Sequence, residues 1–492
     1  MKVLLVYPEF PDTYWSFRHA LSFEGKQSAF PPLGLLTVSA MLPDTWERRL
    51  VDMNVRRLKE SDIKWADIVF TSAMIVQKDS LEQVVKLCKA HSKRVVVGGP
   101  YVSTSAEHLP EADHIFIGEA ETTLPEFIYD LEHGCARRIY KAAERPALNI
   151  TPIPHFQLAE LRRYSAMSVQ YSRGCPFQCE FCDIIEIYGR VPRTKSNEQM
   201  LSELDALREL GWRGLLFIVD DNFIGNKRNV KRLLPELIEW SERHNHPFSF
   251  ITEASVNLAE DDQLLEMMQR ANFRRVFLGI ETPVEESLKE AQKGQNTRRD
   301  LLESVRKIQS YGMEVMAGFI VGFDNDPDDI FERQINFIRE SAIPLAMVGL
   351  LTALPDTQLW RRLEREGRLL RESTGNNTDG SLNFIPRMDT ARLIEGYKRI
   401  LRTIYNPAEY YQRALDCLSH LGRDEPEPRR NGIISDMVAF MRLVLALGVR
   451  DHERLEFWRY MKRTITSHRQ NFARAVMLAA MGYHFRRLTE TV

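Results

Sequence analysis

From the first residue to about 135, short apolar runs alternate with amphipathic stretches. Val3–Tyr7, Arg49–Asp52, Ile68–Ala73, Arg94–Gly98 and Ile115–Ile117 read as strands, and Leu33–Met41, Leu81–Ala90 and Thr123–Leu131 as helices. Such alternation predicts an α/β domain of Rossmann-like type over 1–135, a parallel sheet with helices on its faces. Ligands of such sheets bind at the carboxyl ends of the strands. Residues 136–164 hold Pro146, Pro152 and Pro154 with little periodicity and read as a linker. A second alternating series fills 165–387. Its strands are Met167–Tyr171, Leu215–Val219, Ser249–Thr252, Arg275–Ile280, Glu314–Val321 and Leu345–Leu350, with helices near 197–210, 228–243, 261–270, 286–290, 298–311 and 328–341. Six successive βα units predict a partial (β/α)6 barrel of the TIM type, whose chemistry belongs in the βα loops. Over 388–492 the strand signal stops. Arg392–Ile404, Ala408–Leu421, Ile433–Leu447 and His452–Leu478 read as a helical C-terminal domain, with Pro426 and Pro428 in a polar break before the third helix.

The bulk numbers narrow the class without naming it. A chain of 492 residues allows about three domains at roughly 100–200 residues each. A net charge of −2 supplies no field for nucleic acid, so no nucleic-acid partner is expected. Met1 leads straight into the first strand, a run too short for a signal-peptide core, and no stretch of 18 apolar residues is present. Three of the six cysteines fall within eight residues, while Cys88, Cys135 and Cys417 are scattered. That distribution points to a metal site in a reducing, cytoplasmic setting rather than to a disulfide framework.

The crowded segment reads Tyr171-Ser172-Arg173-Gly174-Cys175-Pro176-Phe177-Gln178-Cys179-Glu180-Phe181-Cys182 and follows a strand. Most electron-transfer [4Fe–4S] clusters take four cysteines. Three thiolates, Cys175, Cys179 and Cys182, leave one iron open, and an open iron can chelate the amino and carboxylate groups of a methionine moiety. Zinc or a structural thiol cluster is the alternative. Zinc sites usually pair two close cysteines with a distant His or Cys pair, and three cysteines with no downstream pair fit that poorly.

CxxxCxxC with an aromatic before the last cysteine resembles the signature of the radical S-adenosylmethionine superfamily, in a context that runs through about 165–360. The resemblance implies a [4Fe–4S] cluster that cleaves S-adenosylmethionine reductively. It implies cofactor contacts at the strand ends: Asp220 and Asp221 after the second strand, Glu253 after the third, Glu281 in Gly279-Ile280-Glu281 after the fourth, and Gly318, Ile320 and Gly322 in the adenine-flanking Gly318-Phe319-Ile320-Val321-Gly322-Phe323. Leu354-Pro355-Asp356-Thr357 is similar to the family's Leu-Pro-Gly-Thr turn, with Asp in place of Gly. Read singly, the acidic residues could equally cap the following helices, and the glycines could serve packing. Arg173 reads as a charge partner of the cluster or as a surface arginine. Arg190, Arg193 and Lys195 read as a solvated basic stretch or as partners of the cofactor carboxylate.

The first domain resembles the cobalamin-binding domain of cobalamin-dependent radical enzymes. The matching pieces are Pro31-Pro32-Leu33-Gly34-Leu35, Ser72-Ala73-Met74, Gly98-Gly99-Pro100 and Gly118-Glu119-Ala120-Glu121. The resemblance implies cobalamin contacts at Ser72, Gly98, Gly99 and Glu119. Gly98 and Gly99 carry no Cβ, so backbone can lie against a flat macrocycle. Many cobalamin proteins ligate cobalt through an Asp-x-His-x-x-Gly loop. The equivalent Asp52-Met53-Asn54-Val55 has no His, as in many radical methylases of this group.

The three-part chain thus resembles hopanoid-methylase-like radical enzymes, which implies a cobalamin-dependent C-methyltransferase acting on an unactivated carbon. Hydrogen abstraction by a 5′-deoxyadenosyl radical would precede methyl transfer from cobalamin. A radical oxidation, cyclisation or rearrangement without methyl transfer, or a cobalamin- or redox-sensing module, are the other readings. The expected partners are a small-molecule or lipid substrate and an external electron donor of flavodoxin or ferredoxin type. The apolar stripe from Met437 to Leu447, with Arg442, Arg450, Arg454, Arg459, Lys462 and Arg463 around and after it, reads as core packing with a solvated face or as peripheral contact with a membrane.

Overall fold

The computed structural model describes residues 1–105, 111–376, 378–421 and 433–490. Two six-stranded parallel sheets organise it. The first comprises β1 (Lys2–Tyr7), β2 (Glu47–Asp52), β3 (Ile68–Ser72), β4 (Arg94–Gly98), β5 (His114–Ile117) and β6 (Ile139–Lys141), in the order β2-β1-β3-β4-β5-β6. Val3, Leu4, Leu5 and Val6 are all fully buried, because helices cover both faces and each face needs apolar side chains. Strand order reverses at β1, so a crevice opens beside the carboxyl ends of β1 and β3. The stretch read as a linker supplies β6: Ile139 pairs with Ile115, and only Tyr140 of the strand is buried. One buried residue in three carries too weak a pattern to read as a strand.

The second sheet comprises β7 (Met167–Val169), β10 (Gly214–Ile218), β11 (Phe248–Ala254), β12 (Phe273–Glu281), β13 (Glu314–Val321) and β14 (Leu345–Leu350), paired consecutively from β7 to β14. Between β7 and β10 a two-stranded antiparallel ribbon, β8 (Ser172–Arg173) with β9 (Arg193–Thr194), closes the cysteine loop. β7 and β14 are the edges of the sheet, so the barrel is partial.

The N-terminal segment spans its open side. The Tyr14 hydroxyl donates to Val348 O on β14 at 2.9 Å. Trp15 stacks on Phe217 of β10 with ring centroids 5.8 Å apart. Tyr14 also stacks on Phe485 of the last helix. These links bind the C-terminal helices, the N-terminal segment and the barrel into one continuous apolar core.

Two C-terminal expectations change. Helix Ile433–Leu443 continues as a π-helical stretch, Val444–Arg450. The single helix expected over His452–Leu478 is two, Arg454–Ser467 and Phe472–Thr489, and the second runs well past 478. The break falls at His468–Asn471, where buried Asn471 turns its amide to Leu418 O at 3.2 Å instead of continuing an amphipathic face. Pro426 and Pro428, expected in a polar break, lie outside the described residues.

Candidate active site

The cysteine loop is fixed from several sides. Gly174 has φ +95°, and a Cβ there would come within 2.8 Å of Gly189 O, so only glycine fits the entry to the loop. The Cys175 amide donates to Gly189 O at 3.2 Å and the Cys182 amide to Cys179 O at 3.1 Å. Glu180, between the second and third cysteines, accepts from Arg362 Nε at 2.6 Å and Nη2 at 3.1 Å. Its backbone bonds both to Ala291 O and to the Leu359 amide.

The thiols see donors. Asn222 Nδ2 lies 3.8 Å from Cys175 Sγ and Gln295 Nε2 lies 3.5 Å from Cys179 Sγ. The Lys293 ammonium, held by Glu281, adds positive charge beside Cys179 and Cys182. Burial pushes the Cys182 thiol far up, and burial likewise raises Cys175, so bare thiolates are disfavoured and bound metal would have to stabilise them.

Among the described residues, no three His, Cys, Asp or Glu side chains close around a single point. A cubane does not require it, since each thiolate meets a different iron. The scattered cysteines sit elsewhere: Cys88 in the core of the first sheet, Cys135 exposed, and Cys417 beside Glu314 at the amino end of β13.

The strand-end carboxylates divide by what they touch. Asp220 accepts from the Tyr171 amide (2.7 Å), the Ser172 amide (2.8 Å) and the Ser172 hydroxyl (2.6 Å), so it fastens the start of the cysteine loop. Burial raises it to about 6 despite those donors. Asp221 accepts from the Gly174 amide at 3.2 Å, and burial raises it to about 7. The Glu253 carboxylate has no hydrogen-bond partner among the described residues and faces the cavity described next; burial first, then the charges of Asp221 and Asp220, raise it to about 8. Glu281 sits at φ +64° at an irregularity in the β12–β13 register and is engaged with Lys293. A Cβ on Gly279 would overlap that pair.

A cavity of about 680 Å³ lies between the two sheets. Of the residues expected at cofactors, it gathers Ser72, Gly98, Gly99 and Glu119 from the first sheet with Asp220, Asp221 and Glu253 from the second. Glu281, Gly318, Ile320 and Gly322 are not on its lining. Gly318 packs on Phe277, Ile320 packs in an apolar group with Phe181 and Phe323, and Gly322 turns at φ +107° with its amide on Asp326 Oδ2. Gly34 and Gly118 do line the cavity, and a Cβ at either would meet nothing within 4 Å. Open space at these glycines, together with the Gly99 turn at φ +97°, is what a broad, flat group needs.

Three features escaped the sequence reading. Trp15 and Phe30 join Phe217 in an aromatic wall of the cavity; their segment carries no period that announces it. Arg173 is neither a surface residue nor turned to the cysteines. It reaches Glu119 at 2.6 Å and Glu121 at 2.7 Å on the loop after β5. Arg193 adds a second contact to Glu119 at 2.7 Å. The basic stretch is divided: Lys195 is buried against Glu203 and Arg193 is held by Glu119, while Arg190 stays exposed with a 3.3 Å contact to Pro176 O.

Three family profiles match the chain: a B12 binding domain over 27–128, the radical SAM superfamily over 169–338, and a domain of unknown function (DUF4070) over 357–492. The chain is 45% identical to an uncharacterized methyltransferase of Synechocystis sp., over 100% of its own length and 92% of the relative's. It is 35% identical to the hopanoid C-2 methylase of Rhodopseudomonas palustris, over 97% of its length and 92% of that protein's. The chain belongs to the cobalamin-dependent radical S-adenosylmethionine methyltransferases.

The cofactors of this methyltransferase are a [4Fe–4S] cluster, S-adenosylmethionine and cobalamin. Its fold is also that of the cobalamin-dependent radical enzyme OxsB, solved with aqua-cobalamin and S-adenosylmethionine bound. The TM-score is 0.65 at 17% identity, covering 99% of this chain and 80% of that one. No helix among the described residues is long and apolar enough to cross a membrane.

Proposed function

We propose that this methyltransferase places a methyl group on an unactivated carbon of a polycyclic lipid of the hopanoid kind. The observation that carries the reading is the shared cavity: strand ends of the cobalamin-type sheet and of the radical barrel open into one space walled by Trp15, Phe30, Leu33 and Phe217. Rings of this type hold an apolar polycycle by area and shape. The end-to-end likeness to a hopanoid C-2 methylase supports the substrate class.

In this reading Cys175, Cys179 and Cys182 hold the cluster, with Asn222 and Gln295 donating to sulfur. Asp221 and Glu253 face the cationic end of S-adenosylmethionine, Asp220 positions the cysteine loop, and Glu281 fixes Lys293 beside the thiols. Gly318, Ile320 and Gly322 form the wall on the adenine side. Ser72, Gly98 and Gly99 admit the corrin, while Glu119 acts through Arg173 and Arg193. Once bound, the cofactors supply a carbon-centred radical and a transferable methyl group. The chain supplies geometry, charge and exclusion of water. The electron donor is of flavodoxin or ferredoxin type, the setting is cytoplasmic, and a lipid substrate calls for contact with a membrane surface.

The test is anaerobic reconstitution with iron, sulfide and cobalamin, followed by turnover of S-adenosylmethionine and a hopene with a low-potential chemical reductant. S-adenosylhomocysteine and 5′-deoxyadenosine should accumulate together with a methylated hopene, and Cys179→Ala should lower both by about a thousand-fold or more. 5′-Deoxyadenosine accumulating with substrate conversion but no S-adenosylhomocysteine would overturn methyl transfer in favour of radical oxidation or rearrangement.

A further inference from the structure

The C-terminal helices carry an apolar face turned to solvent. Met437, Met441, Leu445 and Val449 are 56%, 65%, 44% and 55% exposed. They recur every four residues along Ile433–Leu443 and its π-helical continuation Val444–Arg450. In a straight α-helix that spacing drifts by about 40° per step. The wider π turns oppose the drift and keep the four in one row. On the next helix, Arg454–Ser467, Leu455, Trp458 and Ile465 are also exposed. The Trp458 indole donates to Gly448 O at 2.9 Å, which joins the two rows into one face.

Charge around this face is positive. Residues 433–467 hold six basic and four acidic side chains in a chain whose net charge is −2. Asp451 is taken by Arg486 and Glu456 by Arg459. Asp436 and Glu453 are the remaining exposed acids. Arg450, Arg454 and Lys462 are exposed and carry no ion pair among the described residues. The preceding stretch, 422–432, contains no large apolar residue in its sequence.

The face also adjoins the route to the cavity. Arg442 Nη1 reaches Phe23 O at 3.3 Å on the helix Arg18–Glu24. That helix stands between Tyr14–Ser16 and the 27–35 stretch, both of which line the cavity.

We propose that this face docks the enzyme on an anionic phospholipid surface, with Met437, Met441, Leu445, Trp458 and Ile465 in the interface and Arg450, Arg454 and Lys462 on lipid phosphates. Exposed apolar rows flanked by unpaired cations fit that partner, because apolar burial and attraction to anionic headgroups add. The surface gains its biological sense from the lipid-substrate reading, but its test needs no turnover.

The cofactor-loaded full chain would be sedimented with phosphatidylglycerol-containing vesicles and with pure phosphatidylcholine vesicles. Binding should favour the anionic vesicles, weaken with salt, and blue-shift tryptophan emission. Met441→Glu with Leu445→Glu should weaken it on the order of ten-fold, and Arg450→Glu with Lys462→Glu by a similar factor on anionic vesicles only. Thermal melts and iron content of both variants should match the parent, since all four side chains are exposed.

Equal binding by either variant, or no binding to anionic vesicles, overturns the proposal. So does a concentration-dependent dimer that Met441→Glu dissociates, which would make a second copy the partner. If vesicle binding persists while hopenes are not methylated, the substrate reading fails and the docking surface stands.

Discussion

The two parallel sheets share one cavity but end in different chemistry. In the first sheet, β1, β3 and β4 end at Tyr7, Ser72 and Gly98, followed by Gly99 and then Gly118 after β5. In the second, β10, β11 and β12 lead to Asp220-Asp221, Glu253 and Glu281. Parallel architecture supplies a crevice at the carboxyl ends in both. The residues at those ends decide what each crevice suits: a neutral glycine rim admits a broad ring by shape, and a carboxylate rim attracts a sulfonium and an ammonium. The one buried acid pair on the first rim, Glu119 and Glu121, is neutralised by arginines from the second, and that link is where the comparison can be broken most severely.

Arg173→Met should be the most damaging of the substitutions outside the cysteines. It leaves buried Glu119 with Arg193 and buried Glu121 with the Thr151 hydroxyl at 3.0 Å but no cation among the described residues, and losing one partner of such a buried group costs about 3–5 kcal/mol. Burial works against the Arg173 charge, and Glu121 and Glu119 more than offset it, holding the guanidinium protonated. Urea unfolding would read the loss. Adding Glu119→Gln and Glu121→Gln should recover much of it, as a double-mutant comparison requires. A loss under about 1 kcal/mol would mean that the sheets are not riveted here.

The first rim is sharpened by two glycines. A Cβ on Gly99 would lie 2.4 Å from Ser72 Oγ and 2.9 Å from Ala73 O at φ +97°. Gly99→Ala should therefore destabilise by about 1–3 kcal/mol and lower bound corrinoid. Gly34 begins a helix and has open space at its Cβ. Gly34→Ala should leave the melting temperature unchanged or slightly raised, yet lower corrinoid content, because the added methyl occupies the cavity. If both variants keep full corrinoid, the glycine rim is not the macrocycle's seat.

The second rim is tested through Glu253. Its carboxyl is raised by burial and by Asp221 and Asp220, to about 8 in the folded chain. An unfolded Glu titrates near 4.3. Burial of the neutral acid is tolerated below that value, and the penalty for the charged form grows as pH rises toward 8. Glu253→Gln should thus stabilise the cofactor-free chain at pH 8.5 by on the order of 3–4 kcal/mol relative to its effect at pH 5. A parent–variant difference that does not change between those pH values would remove Glu253 from the cavity's charge balance. S-adenosylmethionine, being cationic, should cause proton release on binding to the parent and less to the variant.

The alternation of strands and helices was legible because parallel strands buried on both faces leave long apolar runs, as in Val3–Val6. The three cysteines were legible because their spacing is local. What escaped depends on contacts distant in sequence. Arg173 meets Glu119 across 54 positions, and Trp15 meets Phe217 across about two hundred, with no period to announce either. The strand-end acids were visible as residues, but not their division of labour: Asp220 is consumed by the Tyr171 and Ser172 amides while Glu253 stays unpartnered, a distinction set by the tertiary fold alone. The break at His468–Asn471 was hidden because residues on either side keep helical character, and only the buried Asn471 amide shows the turn.

The smallest effect concerns how each rim turns its chain. The first uses glycine at its left-handed turns, Gly99 and Gly118. The second combines glycines, Gly174 and Gly322, with side-chain-bearing residues, Glu281 at φ +64° and Asp356 at φ +62°. Glu281 has a reason to keep its carboxylate, since it holds Lys293. Asp356 stands where similar enzymes carry glycine. It is exposed, and among the described residues only its carbonyl is engaged, accepting from Arg361 Nη1 at 2.7 Å. The turn is held instead by Thr357, whose hydroxyl donates to Leu354 O and accepts from the Trp360 amide. Asp356→Gly removes the left-handed penalty but loosens the unfolded chain, and these terms oppose each other. Because Asp tolerates this region better than most residues, the net gain should be about 0.5 kcal/mol or less, read as a small rise in melting temperature at unchanged iron content. Asp356→Ala keeps the penalty without the tolerance and should cost about 1 kcal/mol. A loss of methyl transfer in Asp356→Gly at undiminished stability would show that the carboxylate, like that of Glu281, is kept for the site rather than tolerated by the turn.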